Sequence, residues 1–307
     1  MVHPLASPQR GEVGSECNEL PGEGAIAWGR QSRRGNFNKR LEFYGRAAHP
    51  IFGAGAIAIG AIAAVTLLAY PGGRRTHLTR LALAGMALAM MFAVVMTGSR
   101  GPLIALVSAF IAGLIAVFSK SRLVPLACAF GSWVLVTSSV LFEGPIKEAL
   151  CPVARIACRS SLRQDVWSHV ANTIAQHPLW GSGYGLRFVG VPHAHNGYFG
   201  LALNYGIPLL ILFICLMATA LWRAAAIKSK GEKFFIVASL VFANAFMGSD
   251  LSDPMRYFNT HYLFLWFPLF LAFVSEKSAP EVEPPGARME AGMASGNHAA
   301  GAPQPES

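Results

Sequence analysis

"IFGAGAIAIGAIAAVTLLAY", residues 51–70, is a run of twenty residues without a single charge. As a helix rising 1.5 Å per residue, a run of this length crosses the roughly 30 Å hydrocarbon core of a bilayer. Lipid offers no hydrogen bonds to backbone N–H and C=O groups, so a spanning segment of this kind has to be helical. Gly53, Gly55 and Gly60 are tolerable in it where helices approach closely. Six more runs read the same way: Leu78–Thr97, Pro102–Phe118, Leu123–Phe142, Tyr198–Trp222, Phe234–Gly248 and Phe258–Val274. The last two are short and share a polar interruption. Residues 1–38 are polar and contain no apolar stretch of the signal-peptide kind.

Composition agrees with this reading. The chain has 307 residues, of which 53% are hydrophobic and only 13% charged, where soluble domains carry about 25% charged residues. Mean hydropathy is +0.42. A net charge of +9 raises nucleic acid as a partner, but the bases lie between or at the edges of apolar runs, and no aromatic-basic platform or known binding motif accompanies them. They fit membrane orientation instead. The loops "GGRRTHLTR" (72–80), "SKSR" (119–122) and "RAAAIKSKGEK" (223–233) are basic, whereas "SDLSDP" (249–254) is acidic. If basic loops are cytoplasmic, the acidic loop and the long segment 143–197 face outside. Arg100 is the exception in this alternation, and the basic segment 1–50 also falls on the outer side.

The expected fold class is an all-α integral membrane protein with about seven transmembrane helices and one large external loop. Its parts are a polar basic segment (1–50), four spans (51–142), an external loop with an amphipathic helix (143–197), three spans (198–275) and a tail rich in Pro, Ala, Gly and Glu that reads as disordered (276–307). No internal repeat stands out.

Chemistry at the aqueous face concentrates in 143–197. Ser161 and Gln164 match a capping box, and Pro178 closes the helical run that follows. Val166, Trp167, Val170 and Ile174 recur at helical spacing, giving one apolar stripe, with Trp167 expected at the interface. Gly181, Gly183 and Gly185 then allow a tight turn; the Lys-Ser/Thr element of a phosphate-binding loop is missing. Cys151 and Cys158 share this segment and either pair or stay free, while Cys17, Cys128 and Cys215 have no evident partner. Nothing matches a zinc pattern, and no cofactor motif is present.

Three stretches, in order, carry a resemblance. They are "TGSRGPLIALVSAF" (97–110), "LRQDVWSHVANTIAQHPLWGSGYG" (162–185) and "HAHNGYFGLALNYGIPLLILF" (193–213). Together they resemble the O-antigen ligase and Wzy-type polysaccharide polymerase superfamily, nearest its exopolysaccharide polymerase branch. "RRGNFNKRLEFYGRAAHPIFG" (33–53) more loosely resembles the external loop before a span in that family. The resemblance covers roughly residues 33 to 275. It implies a GT-C-like bacterial inner-membrane glycosyltransferase whose catalytic face is periplasmic. The implied donor is a glycan on undecaprenyl diphosphate, the acceptor is a glycan or lipid A-core, and no metal is needed. Family members carry several more spans before this point. The resemblance therefore also implies an N-terminally shortened chain, which would account for a basic N-terminal segment on the outer side.

The residues themselves suggest roles. Arg100 sits at the outer mouth between two spans, and Pro102 is suited to the first turn of the next helix. An Arg fork beside a helix N-terminus seats a diphosphate, and the alternative is an interfacial Arg reaching lipid headgroups. Arg163 opens the external helix, where a cation is slightly unfavourable without an anion nearby. The resemblance supplies the lipid diphosphate; the alternative is a solvated Arg beside Asp165. His195 is the best general base, since neutral imidazole takes a proton from a sugar hydroxyl near neutral pH, and in the family the His before Asn has that part. His193 is second choice, and Asn196 orients the ring or caps the helix. Ser99, Trp167 and Tyr184 are further candidate substrate contacts. Asp250, Asp253 and Arg256 form a polar external turn, either a contact for the acceptor glycan or, by default, a solvated turn. The rival readings are an inactive or shortened family member and a non-enzymatic transport component. A transporter should show ionisable residues or broken helices near mid-membrane, and the first five runs are expected to have neither at their centres.

Overall fold

The computed structural model describes residues 50–70, 75–142, 163–183, 194–251, 254–255 and 262–275, all within the unit that begins at Arg40. These residues form helices α1 (Pro50–Ala69), α2 (His77–Met96), α3 (Arg100–Phe118), α4 (Leu123–Leu141), α5 (Arg163–Gln176), α6 (Gly197–Tyr205), α7 (Ile207–Ala225) and α8 (Lys230–Met247). A π-helical turn, Tyr262–Trp266, leads into α9 (Phe267–Val274). No strand occurs among the described residues. The protein is an all-α integral membrane protein.

Helix α8 is the axis of the bundle. Val237 to Ala243 and Ala245 to Met247 are all buried, as expected for a helix apolar all round. Its main partner is α3, whose buried face is built from Gly101, Ala105, Ala109, Ala112, Gly113 and Ala116. Small residues let the two backbones approach, the usual packing device where lipid gives no hydrophobic drive between helices. A methyl group on Gly113 would lie 3.0 Å from both the Ala238 methyl and the Phe234 ring. Phe242, Phe246 and Phe264 form an aromatic knot beneath. Helix α2 is peripheral: only Ala87 and Val94 are buried, and Leu78, Leu81, Leu88 and Phe92 face outward.

Four helices, α2, α3, α4 and α7, are long and apolar enough to cross a membrane, and Gly53–Ala69 and Leu263–Val274 are shorter apolar helices. Helix α8 opens with Lys230, Glu232 and Lys233, so its apolar part is shorter than its full 18 residues.

One expected span is divided. The run Tyr198–Trp222 is two helices, α6 and α7, separated at Gly206, which adopts φ +90°. Pro208 at the start of α7 lacks an N–H and restrains its neighbour, favouring a helix start there. A continuous helix would bond Ile207 N–H to Leu203 O. Instead Ile207 N–H donates to Pro178 O (2.8 Å), and Leu203 O accepts from Ser182 N–H (2.6 Å). The turn after α5 thus takes up both groups of that one missing bond.

The helix ends sort into two poles. At one, α1 ends near the start of α8, with Gly231 against Tyr70, and Arg223 donates to Ala272 O and Phe273 O at the end of α9. Arg122 stacks over Trp222 there. At the other, α3, α5 and α6 begin and α4 and α8 end.

Candidate active site

The second pole gathers the three resemblance stretches around one three-residue turn, Gly248-Ser249-Asp250, which follows α8. From the first stretch comes the start of α3. A methyl group on Gly101 would lie 1.8 Å from Asp250 Oδ2 and 2.4 Å from Ser249 Oγ. Only a glycine leaves room for that carboxylate beside Arg100. Ser99, the residue before α3, makes no side-chain cap. The anionic Asp250 is instead the group packed on this helix N-terminus, where the dipole favours negative charge.

From the second stretch comes Arg163, whose Nη2 donates to Asp250 Oδ1 at 2.5 Å. Asp250 Oδ2 also accepts from Ser249 Oγ at 2.8 Å. The Asp250 side chain is 1% exposed and that of Arg163 22%. This corrects the expectation of a solvated turn: Asp250 is a buried counter-ion. It also replaces the suggested Asp165 neighbour of Arg163, since Asp165 is exposed. A buried carboxylate needs a partner, because desolvation of an unpaired charge is costly.

From the third stretch come His195 and Asn196. Asn196 caps α6, its Oδ1 accepting from Tyr198 N–H (3.0 Å) and Phe199 N–H (3.2 Å), as its place before the apolar run implied. Its Nδ2 donates to Gly248 O (3.0 Å), tying the cap to the central turn. Gly197 packs on Met247. His195 is half-buried, with Nδ1 shielded from solvent. Among the described residues it is the one non-glycine with positive φ, +50°. Histidine tolerates that region better than most residues, yet such conformations cost about 1–3 kcal/mol and concentrate at functional sites.

Helix α5 supports this arrangement from outside. Val166, Trp167 and Val170 are buried and Ile174 packs beside them, with Val140, Ala194 and Leu203, so the apolar stripe read from spacing faces the bundle. Trp167 is 5% exposed; its Nε1 donates to Ala194 O (3.0 Å), and its ring meets Phe199 edge-on. It is a packing residue beneath His195 rather than an interfacial anchor. Gln164 directs Nε2 to Val140 O (3.0 Å) and Leu141 O (2.7 Å), closing the end of α4; Ser161, its expected capping partner, lies outside the described residues. So do His193, Tyr184, Asp253, Arg256, Cys151 and Cys158. Ser99 is buried, with Oγ unpartnered. Among the described residues, no three His, Cys, Asp or Glu side chains are grouped to hold a metal ion.

Below the turn, between α4, α6, α7 and α8, lies an apolar cavity of about 530 Å³ lined by Leu126, Phe130, Trp133, Tyr198, Met217 and Asn244 among others. Tyr198 Oη donates to Asn244 Oδ1, and Asn244 Nδ2 donates to Ala129 O (2.7 Å), leaving one polar corner in an otherwise hydrocarbon space.

Sequence reading placed Asp250 in an external turn but missed its pairing with Arg163, and missed Gly101 altogether. For Asp250 no local signal existed, since its partner is 87 residues away. For Gly101 the signal was a glycine at the first turn of a span, where the chain needs close approach.

Comparison with known proteins points the same way. Residues 84–214 match the family model described as O-antigen ligase; that interval includes Arg100, Arg163, His195 and Asn196. A curated O-antigen ligase from Pseudomonas aeruginosa is 29% identical over 249 residues, covering 76% of this chain and 56% of that protein. The chain thus spans about half the length of that relative. No solved structure matches. The motif stretches and these matches agree: over residues 84–214 the chain is similar to the O-antigen ligase family, and over most of its length it is similar to a curated O-antigen ligase.

Proposed function

We propose that this protein is a membrane glycosyltransferase of the ligase or polymerase type, moving a glycan from undecaprenyl diphosphate to an acceptor hydroxyl at the outer face of the bacterial inner membrane. The observation that carries the reading is the convergence of Arg100, Arg163 and the His195-Asn196 pair on the turn 248–250. In the proposed step His195 accepts the proton of the acceptor hydroxyl. The freed oxygen attacks the anomeric carbon from the side opposite the diphosphate, a C–O bond forms with inversion, and the bond to the diphosphate oxygen breaks. The guanidinium groups of Arg100 and Arg163 neutralise charge developing on the departing diphosphate, with the α3 N-terminus adding to the field. No metal is assigned a part.

Asp250 acts through Arg163: it holds the guanidinium in place and is itself a positioning residue. Asn196 and Trp167 fix the His195 backbone, and Ser99 offers a hydroxyl at the same pole. The apolar cavity beneath suits a single hydrocarbon chain attached to an anionic head. The acceptor is a growing polysaccharide or a lipid A-core.

The divided span also suits a transporter, whose broken helices line substrate paths. Here both groups of the missing Ile207–Leu203 bond are taken up by the turn 178–182, so the break is filled by protein.

The test is a gene deletion complemented with wild type or His195→Ala, with surface polysaccharide resolved on gels. Restoration of the full polysaccharide by His195→Ala at normal expression would rule out the assigned base; loss of it, with the protein present in the membrane, is expected.

A further inference from the structure

The stitched break in the α6–α7 span has a role beyond satisfying backbone groups. Gly181 (φ +68°) and Gly206 (φ +90°) meet there backbone to backbone. A methyl group on Gly206 would lie 2.1 Å from Leu179 O, and one on Gly181 would lie 2.6 Å from both Asn204 C and Tyr205 N. Neither position admits a side chain, on steric grounds as well as by dihedral. Gly183, in the same turn with φ +71°, has nothing within 4 Å of such a methyl group. The interlock therefore belongs to Gly181 and Gly206 and not to the turn at large.

The contact joins the far ends of two elements whose near ends carry the site. Helix α5 starts at Arg163 and continues through Pro178 into the turn; α6 starts after His195-Asn196 and ends at the break. The interlock at one end, with the Trp167 contacts to Ala194 and Phe199 along the way, closes these two helices into one frame. We infer that Gly181 and Gly206 are positioning residues of the transfer reaction, fixing His195 relative to Arg163 by locking the turn 178–182 into the broken span. This inference rests on the proposed function.

The test uses the full chain in proteoliposomes given a polyprenyl-diphosphate-linked oligosaccharide and a lipid-anchored core oligosaccharide as acceptor. Displacing a base from its partners by about 1 Å costs up to about a hundredfold. Gly206→Ala and Gly181→Ala should therefore lose about 10- to 100-fold in kcat, with the donor KM within about threefold because Arg100 and Arg163 remain. Gly183→Ala carries dihedral strain at φ +71° but meets no neighbouring atom, so it should lower stability while leaving kcat and KM closer to wild type than either interlock variant does. Retained kcat in inserted Gly206→Ala and Gly181→Ala, or an equal loss in Gly183→Ala, overturns the inference. Should the glycine variants fail to insert, a cysteine pair decides. Pro178 and Ile207 are both exposed and joined by a 2.8 Å main-chain hydrogen bond, so a cysteine pair there reports whether the turn stays seated on the break. Pro178→Cys with Ile207→Cys should cross-link and keep its activity. No cross-link, or activity lost on cross-linking and regained with reductant, overturns the inference. His195→Ala in the same assay separates the two proposals: full activity there sinks the proposed function itself, whereas an inactive His195→Ala beside active glycine variants sinks only this inference.

Discussion

The two poles of the bundle both carry arginines at helix ends, and they use them differently. At the pole formed by the end of α7 and the start of α8, Arg223 donates to the last carbonyls of α9 and lies over the Phe273 ring, while Arg122 lies over Trp222. A cation on the free carbonyls of a helix C-terminus is well placed by the dipole. That pole explains itself as structure. At the other pole Arg163 opens a helix, where the dipole opposes it, and its partner is a buried carboxylate that also presses on the N-terminus of α3. Nearby sits the left-handed His195. The helix dipole does not account for Arg163 at this position; the buried Asp250 carboxylate does, and under the proposed function the donor diphosphate is a second anion for the same guanidinium. The difference teaches that an arginine at a helix C-terminus is satisfied by its own dipole, whereas one at a helix N-terminus needs an anion brought to it by the fold.

The comparison can be broken by substitution at each pole. The largest effect is expected for Asp250→Ala. It leaves Arg163 without its counter-charge, and removal of one partner of a buried pair costs about 3–5 kcal/mol, the upper part of that range being reserved for pairs more enclosed than this one. Thermal unfolding in detergent should show a clear drop in midpoint, and a midpoint equal to wild type would mean the pair is solvated. Asn196→Ala comes next: it removes the α6 cap, worth about 1 kcal/mol, and the bond to Gly248 O, worth about another 1 kcal/mol. Transfer activity should fall more than unfolding stability does, because the loosened segment carries His195. Trp167→Phe keeps the ring but leaves Ala194 O without its donor, at about 1–3 kcal/mol if that carbonyl stays dry; the same stability measurement reads it. Arg223→Ala is expected to be the mildest. It gives up interactions of about 0.3–1 kcal/mol with the α9 C-terminus and should leave transfer per folded molecule unchanged. An Arg223→Ala protein that is folded yet inactive would erase the distinction between the poles.

Some of this was legible in the sequence because its cause is local. Four of the seven expected spans are long apolar helices among the described residues, α2, α3, α4 and α7, and they announce themselves because lipid demands about twenty apolar residues in a row. The Asn196 cap could be read from an Asn directly before an apolar run, and the buried stripe of α5 from Val166, Trp167 and Val170 at helical spacing. The divided span was hidden by hydropathy, which does not change across "LNYGIPLL". The Gly206 and Pro208 pair was the available signal, since a helix end favours the one and a helix start the other. The external place of Asp250 was legible, but its burial against Arg163 was not. An acidic turn between apolar runs looks solvated until the fold brings Arg163 to it across 87 residues. Likewise, nothing local separates Gly181 from Gly183; only the backbone of Asn204 and Tyr205 against one of them does.

The central claim is that the pole around Asp250 performs glycan transfer and the opposite pole does not. The most direct measurement is transfer from a polyprenyl-diphosphate-linked oligosaccharide in proteoliposomes by His195→Ala and Arg223→Ala protein at equal folded amounts. A general base contributes about 10²–10⁴-fold, so His195→Ala should lose that much while Arg223→Ala matches wild type. Equal rates for the two variants would contradict the account.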